Sequence, residues 1–167
     1  MSNTEENLQT AFAGESQANR RYLFFADKAE KEGYLQVARL FRAAAEAETV
    51  HARNHFAAMD GLGSTRDNLM AGAIGEHYEF TRMYPPFIEQ AEAENNKRAK
   101  ISFEYANEVE QIHHRHFEST IKAFDAGQQL KEEPYFVCPV CGNTVAGEAP
   151  EKCPICSTPG SKFKKVE

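Results

Sequence analysis

The sequence predicts a mainly α-helical protein, a four-helix bundle followed by a small C-terminal module organised by cysteine. Three observations predict it. Apolar residues recur at helical spacing through four long stretches separated by turn formers. The composition changes abruptly at GQQLKEEP (127–134), and all four cysteines then fall between 138 and 156 as two Cys-x-x-Cys pairs.

The first helix is expected over 4–31, a stretch without proline that carries Leu8, Phe12, Ala18, Tyr22 and Ala26 on one stripe, with Gly33 as its stop. The second is expected over 35–59, with Val37, Phe41, Ala44 and Met59 on one face. The turn-rich DGLGSTRD (60–67) ends in Ser, Thr and Asp, candidate caps for a third helix from about residue 68. Pro85-Pro86 must kink or restart that helix, which resumes through Phe87 and Ile88 to Asn95-Asn96. The fourth helix spans 97–126 with Phe103, Ala106, Phe117, Ile121 and Phe124, and ends at Gly127. The expected domains are a bundle at 1–130, a linker at 131–134 and a separate module at 135–167.

A net charge of −6 and the lack of a basic stripe argue against a nucleic-acid partner. The opening MSNTEENLQ does not read as a targeting peptide, and no apolar run reaches the ~18 residues of a membrane span. A soluble cytoplasmic protein is expected, and its thiols point to metal rather than disulfides.

The apolar stripes are interrupted by charge. Glu15 continues the stripe of the first helix, and Glu48, His51 and His55 that of the second. Glu76 and Glu79 lie between Gly72 and Met83 in the third, and Glu110 and His113 between Ala106 and Phe117 in the fourth. Five inward carboxylates left unpaired would cost several kcal/mol each, against a net stability of about 5–15 kcal/mol. Two divalent metals among them resolve the conflict. Glu-x-x-His occurs twice, at Glu48–His51 and Glu110–His113, and puts a carboxylate and an imidazole on one helical face. Either motif alone is weak. Together, with a Glu on each intervening helix, they match the donor set of a di-iron carboxylate bundle. The spacing from Glu15 to Glu48 nearly repeats from Glu76 to Glu110, which leaves Glu79 as an additional ligand. His77, His114 and His116 are expected outside or at the rim.

The segment CPVCGNTVAGEAPEKCPIC (138–156) predicts a tetrahedral thiolate site of Cys138, Cys141, Cys153 and Cys156, with metal organising a module too small to fold on its core. Sulfur ligands suit zinc or iron, and spacing does not choose between them.

These residues resemble the rubrerythrin family across essentially the whole chain. The resemblance rests on AFAGESQANRRY, EAETVHARNHF, AGAIGEHYEFTRMYPPF and SFEYANEVEQIHHRHF, then on the cysteine segment and the closing SKFKKV. It implies a ferritin-like bundle holding two non-haem irons, fused to a rubredoxin-like domain with one iron on four Cys, zinc being the possible substitute. Glu15, Glu48, Glu76, Glu79, Glu110 and His113 would then be di-iron ligands, with Glu48 and Glu110 bridging. His51 would exchange with Glu79 on reduction, and Tyr22 and Tyr84 would hydrogen-bond within the site. Ser157 replaces the family's usual Gly after the second cysteine pair. Asn143 stands where an aromatic residue is common; neither is expected to touch a ligand, and both are expected to alter hydrogen bonds to sulfur and so the potential of that iron.

The implied activity is two-electron reduction of hydrogen peroxide to water in oxidative-stress defence, with electrons relayed through the cysteine-held iron. Implied partners are a second copy of the chain, in a homodimer or higher assembly, and an external donor. That donor would be a rubredoxin or a nicotinamide-dependent flavoprotein reductase. A ferroxidase or iron-storage role is the alternative, and a zinc-ribbon interaction module a third reading.

Overall fold

The computed structural model describes residues 2–167. They divide into two compact units, one ending at Gly63 and the other beginning at Ser64.

The first unit is a helical hairpin of α1 (Asn3–Lys31) and α2 (Leu35–Ala58). Ser2 opens α1 with a capping box: its hydroxyl accepts from the Glu5 N–H, and the Glu5 carboxylate accepts from the Ser2 N–H at 2.7 Å. Glu5 and Glu6 sit at the positive end of the helix dipole, Lys28 and Lys31 at the negative end. Gly33, at φ +88°, supplies the left-handed residue that turns the chain into α2. Alanines line the seam: Ala18, Ala26, Ala29, Ala38 and Ala45 are all buried, and such small side chains let the two backbones approach closely. Asn19 spans the seam, its Nδ2 donating to the Ala45 carbonyl at 2.7 Å and to Thr49 Oγ1 at 2.9 Å.

The second unit begins with α3 (Thr65–Tyr78), three residues earlier than the sequence suggests. Ser64 and Asp67 form a second capping box that draws Thr65 into the helix. The expected break at Pro85-Pro86 lies one turn earlier than expected. A π-helical turn occupies Glu79–Met83, and α4 (Tyr84–Ala93) restarts with the prolines in its first turn. A proline ring presses on the carbonyl four residues before it, so the wider turn forms over 79–83, upstream of the prolines themselves. The last helix, α5 (Lys97–Asp125), is capped by Asn96. Arg66 grips Asp125 with two bonds, of 2.6 and 2.9 Å, tying the start of α3 to the end of α5. At Gly72 a β-carbon would stand 2.8 Å from the ring of Phe117, so α3 and α5 meet closely there.

The C-terminal module of this unit is a three-stranded antiparallel sheet in the order β2-β1-β3, from β1 (Tyr135–Val137), β2 (Thr144–Ala146) and β3 (Lys164–Val166). Its small core is Cys138, Cys141, Cys153 and Phe163, against which Tyr105 of α5 packs.

Among the described helical residues, the buried apolar ones are alanines and Val109, and the large members of the four stripes are not buried. Val37 is 45 % exposed and Phe124 42 %. No described helix is long and apolar enough to cross a membrane.

Candidate metal centres

Each helical unit gathers one group of donors. In the hairpin, Glu15, Glu48 and His51 bring their ligand atoms within 4.8 Å of one another. His51 Nδ1 lies 2.8 Å from Glu48 Oε2, one helical turn away on the same face. Tyr22 lies on the same stripe, its ring centroid 6.1 Å from that of Phe41.

In the second unit, Glu76 of α3 meets Glu110 and His113 of α5, again within 4.8 Å. His113 Nδ1 is 2.8 Å from Glu110 Oε2 and 3.6 Å from Glu76 Oε2. Burial and a hydrogen bond with Glu110 push the Glu76 carboxyl up to about 7. Burial, then the nearby Glu110 charge, raises Glu79, which opens the π turn. His113 is raised too, chiefly by its bond to Glu110. Crowded carboxylates that hold protons this strongly release them to a cation. Tyr84 feels the same field: burial, then the charges of Glu79, Glu110 and Glu76, raises its hydroxyl.

The remote nitrogen of His113 leads to the cysteine module. His113 Nε2 donates to Thr144 Oγ1 at 2.9 Å, and the Thr144 hydroxyl donates to the Gly142 carbonyl at 3.0 Å. Gly142 follows Cys141 directly. The chain of donors fixes the proton on Nε2 and leaves Nδ1, which faces the carboxylates, free to bind a metal. His116, expected outside or at the rim, is half-buried and donates from Nε2 to the Thr144 carbonyl at 3.1 Å. His114, with the same expectation, is half-buried too and bonds through Nδ1 with the Ala73 carbonyl at 2.9 Å. His77 is exposed, as expected.

The four sulfurs form a closed cluster. Cys138 and Cys156 Sγ are 3.5 Å apart, as are Cys141 and Cys153, and all four lie within 4.8 Å of one another. A tetrahedral site with metal–sulfur bonds of about 2.3 Å has sulfur–sulfur edges of about 3.8 Å. The cluster has that size, far from the 2.05 Å of a disulfide. Burial pushes the Cys141 thiol up. At Cys156 desolvation also acts upward, but hydrogen bonds, first those to Thr158, outweigh it and bring the thiol down to about 6. The two Cys-x-x-Cys turns are alike: Gly142 N–H donates to the Cys138 carbonyl and Ser157 N–H to the Cys153 carbonyl, each at 3.0 Å. Ser157 adopts φ +64°, the conformation for which glycine is suited. Asn143 bears on the hydrogen bonding of sulfur, as expected, but does so by direct contact. It is 1 % exposed, and its Nδ2 donates to Cys153 Sγ at 3.8 Å, so it does touch a ligand atom.

The donor sets fit iron: carboxylates and imidazoles suit a di-iron pair, and four thiolates a single iron. Comparison with known proteins agrees. The rubrerythrin family model matches residues 6–121, and that of the rubrerythrin rubredoxin-like domain matches 136–164. The chain is 38 % identical to a rubrerythrin of Porphyromonas gingivalis, over 99 % of this chain and 91 % of that one. It is 35 % identical to rubrerythrin-2 of Clostridium acetobutylicum, over 96 % of this chain and 95 % of the relative. A solved structure of partially reduced nigerythrin aligns with a TM-score of 0.59 and 36 % identity, over 99 % of this chain and 88 % of that one. With its ferritin-like helices, its four-cysteine rubredoxin-like domain and its two kinds of iron site, the chain belongs to the rubrerythrin family.

Proposed function

We propose that this member of an oxidoreductase family is a peroxide reductase, delivering two electrons and two protons to hydrogen peroxide and releasing two waters. The observation that carries this reading is the short link between the cysteine loop and the carboxylate cluster. Cys141, Gly142, Thr144 and His113 form one covalent and hydrogen-bonded path, with two hydrogen bonds of 3.0 and 2.9 Å. A one-electron centre so placed has a use in peroxide reduction and no evident use in iron storage.

Glu15, Glu48, Glu76, Glu79, Glu110 and His113 would hold the di-iron pair, with His51 as a further ligand beside Glu48. Cys138, Cys141, Cys153 and Cys156 would hold the single iron. When bound, the pair supplies Lewis acidity and two electrons, and the cysteine-held iron supplies electrons singly. The protein's own part is to hold protons and orient ligands. The raised Tyr84 hydroxyl stays protonated and able to donate at neutral pH. Thr144 keeps the His113 ring turned with Nδ1 inward. Tyr22 stands on the stripe of Glu15 as a second candidate donor.

Electrons would come from a nicotinamide-dependent flavoprotein reductase, directly or through a free rubredoxin. The test is a coupled assay with such a reductase and the iron-loaded protein. The expected result is one nicotinamide oxidised for each peroxide consumed. Peroxide-independent oxidation of added ferrous iron, with mineral retained by the protein, would favour the ferroxidase alternative.

A further inference from the structure

We infer that peroxide reaches the carboxylate cluster through the seam between α5 and the cysteine module, and that the Tyr135 ring sets the size of hydroperoxide admitted. The inference rests on the peroxide-reductase reading above and adds its substrate range. Two cavities meet at that seam. The inner one, of about 460 Å³, reaches Glu76 and His113 of the cluster. The outer one, of about 350 Å³, opens beside Leu130, Lys131 and Glu133, just ahead of β1. His116, Thr120 and Tyr135 line both cavities, so these three side chains form the wall between them. A molecule little larger than water needs only about 30 Å³, so the wall, and not the space, selects what passes.

The wall has a fixed half and a movable half. His116 is pinned, its Nε2 donating to the Thr144 carbonyl at 3.1 Å. Thr120 lies about one turn further along the same helix. Tyr135 stands edge-on to His116, with ring centroids 5.6 Å apart and planes at 90°. It is the first residue of β1 and is 39 % exposed, so its ring can turn outward without unpacking the module. The passage also carries the hydroxyls of Thr120 and Tyr135, which can hydrogen-bond a small peroxide. It leads to the side of His113 that faces Thr144, opposite the Nδ1 that faces the carboxylates.

The test compares hydrogen peroxide with cumene hydroperoxide, which the same two electrons and two protons reduce to its alcohol and water. Iron-loaded wild type is expected to show a kcat/KM at least about tenfold higher for hydrogen peroxide. Tyr135→Ala should raise the value for cumene hydroperoxide by about tenfold and leave that for hydrogen peroxide within about twofold. Tyr135→Phe keeps the ring and should match the wild type. Thr120→Phe fills the passage. It should slow both hydrogen peroxide consumption and the association of azide with the oxidised iron, followed by absorption without turnover. Should Tyr135→Ala fail to fold, as loss of iron and thiolate colour would show, Thr120→Phe decides alone. An unchanged ratio between the two peroxides in Tyr135→Ala overturns the inference, as do unchanged peroxide and azide rates in Thr120→Phe. A wild type that reduces neither peroxide while holding its iron removes the reductase reading instead, and azide association in Thr120→Phe then still decides the entrance.

Discussion

Two residues carry functions that their local sequence does not announce, and a third is strained as its sequence suggests. Thr144 is a threonine on a short strand, and its importance comes from meeting His113 across 31 positions of sequence. Local periodicity has no access to such a contact. As a positioning residue it is tested by Thr144→Val, which removes the acceptor for Nε2–H. Loss of an outer partner of a ligating histidine typically costs about 10–100-fold in metal affinity. Iron affinity of the bundle should fall by that order and Thr144→Ser should restore it, whereas equal affinity in the valine variant would contradict the assignment. Asn143 donates to the Cys153 sulfur, and such a bond favours the reduced, more negative centre. Asn143→Leu should therefore lower the midpoint potential of the cysteine-held iron in a redox titration, and an unchanged or raised potential would rule the bond out as a determinant. Ser157 was recognisable in sequence as a residue in glycine's place, and its φ of +64° agrees. Relief of the left-handed penalty, about 1–2 kcal/mol, exceeds the added unfolded-state entropy of glycine, about 0.4–1 kcal/mol. Ser157→Gly should thus stabilise the module by roughly 0.5–1 kcal/mol in denaturant titration. A loss of stability would show that the serine side chain contributes more than its backbone conformation costs.

At the scale of elements, helices and their charged interruptions were readable because both obey the same 3.6-residue period. Glu48–His51 and Glu110–His113 fall together as their spacing requires. The π turn was not readable. Pro85-Pro86 signals a disturbance, but its displacement to Glu79–Met83 depends on which carbonyls the rings crowd, and it sets Glu79 at the start of the irregular turn. The facing surfaces of α3 and α5 also make a prediction about metal removal. The Glu76 pKa is raised from its ordinary 4.5 to about 7, so the folded protein binds more protons than the unfolded chain between those values. Stability then falls as pH rises through that window, and the raised His113 acts in the same direction. Iron favours deprotonated ligands and reverses the sign. Protein stripped of metal should melt lower at pH 8 than at pH 5.5, and iron-loaded protein higher. Parallel pH profiles for the two forms would contradict the carboxylate cluster as the metal site.

At the scale of the whole molecule, the family and both kinds of metal site were legible, because ligand spacing and order are properties of sequence. The central claim is that the cysteine-held iron feeds electrons to peroxide reduced at the carboxylate cluster. It is tested most directly by titrating fully reduced, iron-loaded protein with hydrogen peroxide without oxygen, while following the visible absorption of the thiolate-bound iron. The account predicts that this colour returns completely, within the mixing time of seconds, at one peroxide for every two electrons stored. Peroxide consumed at the bundle while the thiolate iron stays reduced and colourless would contradict it.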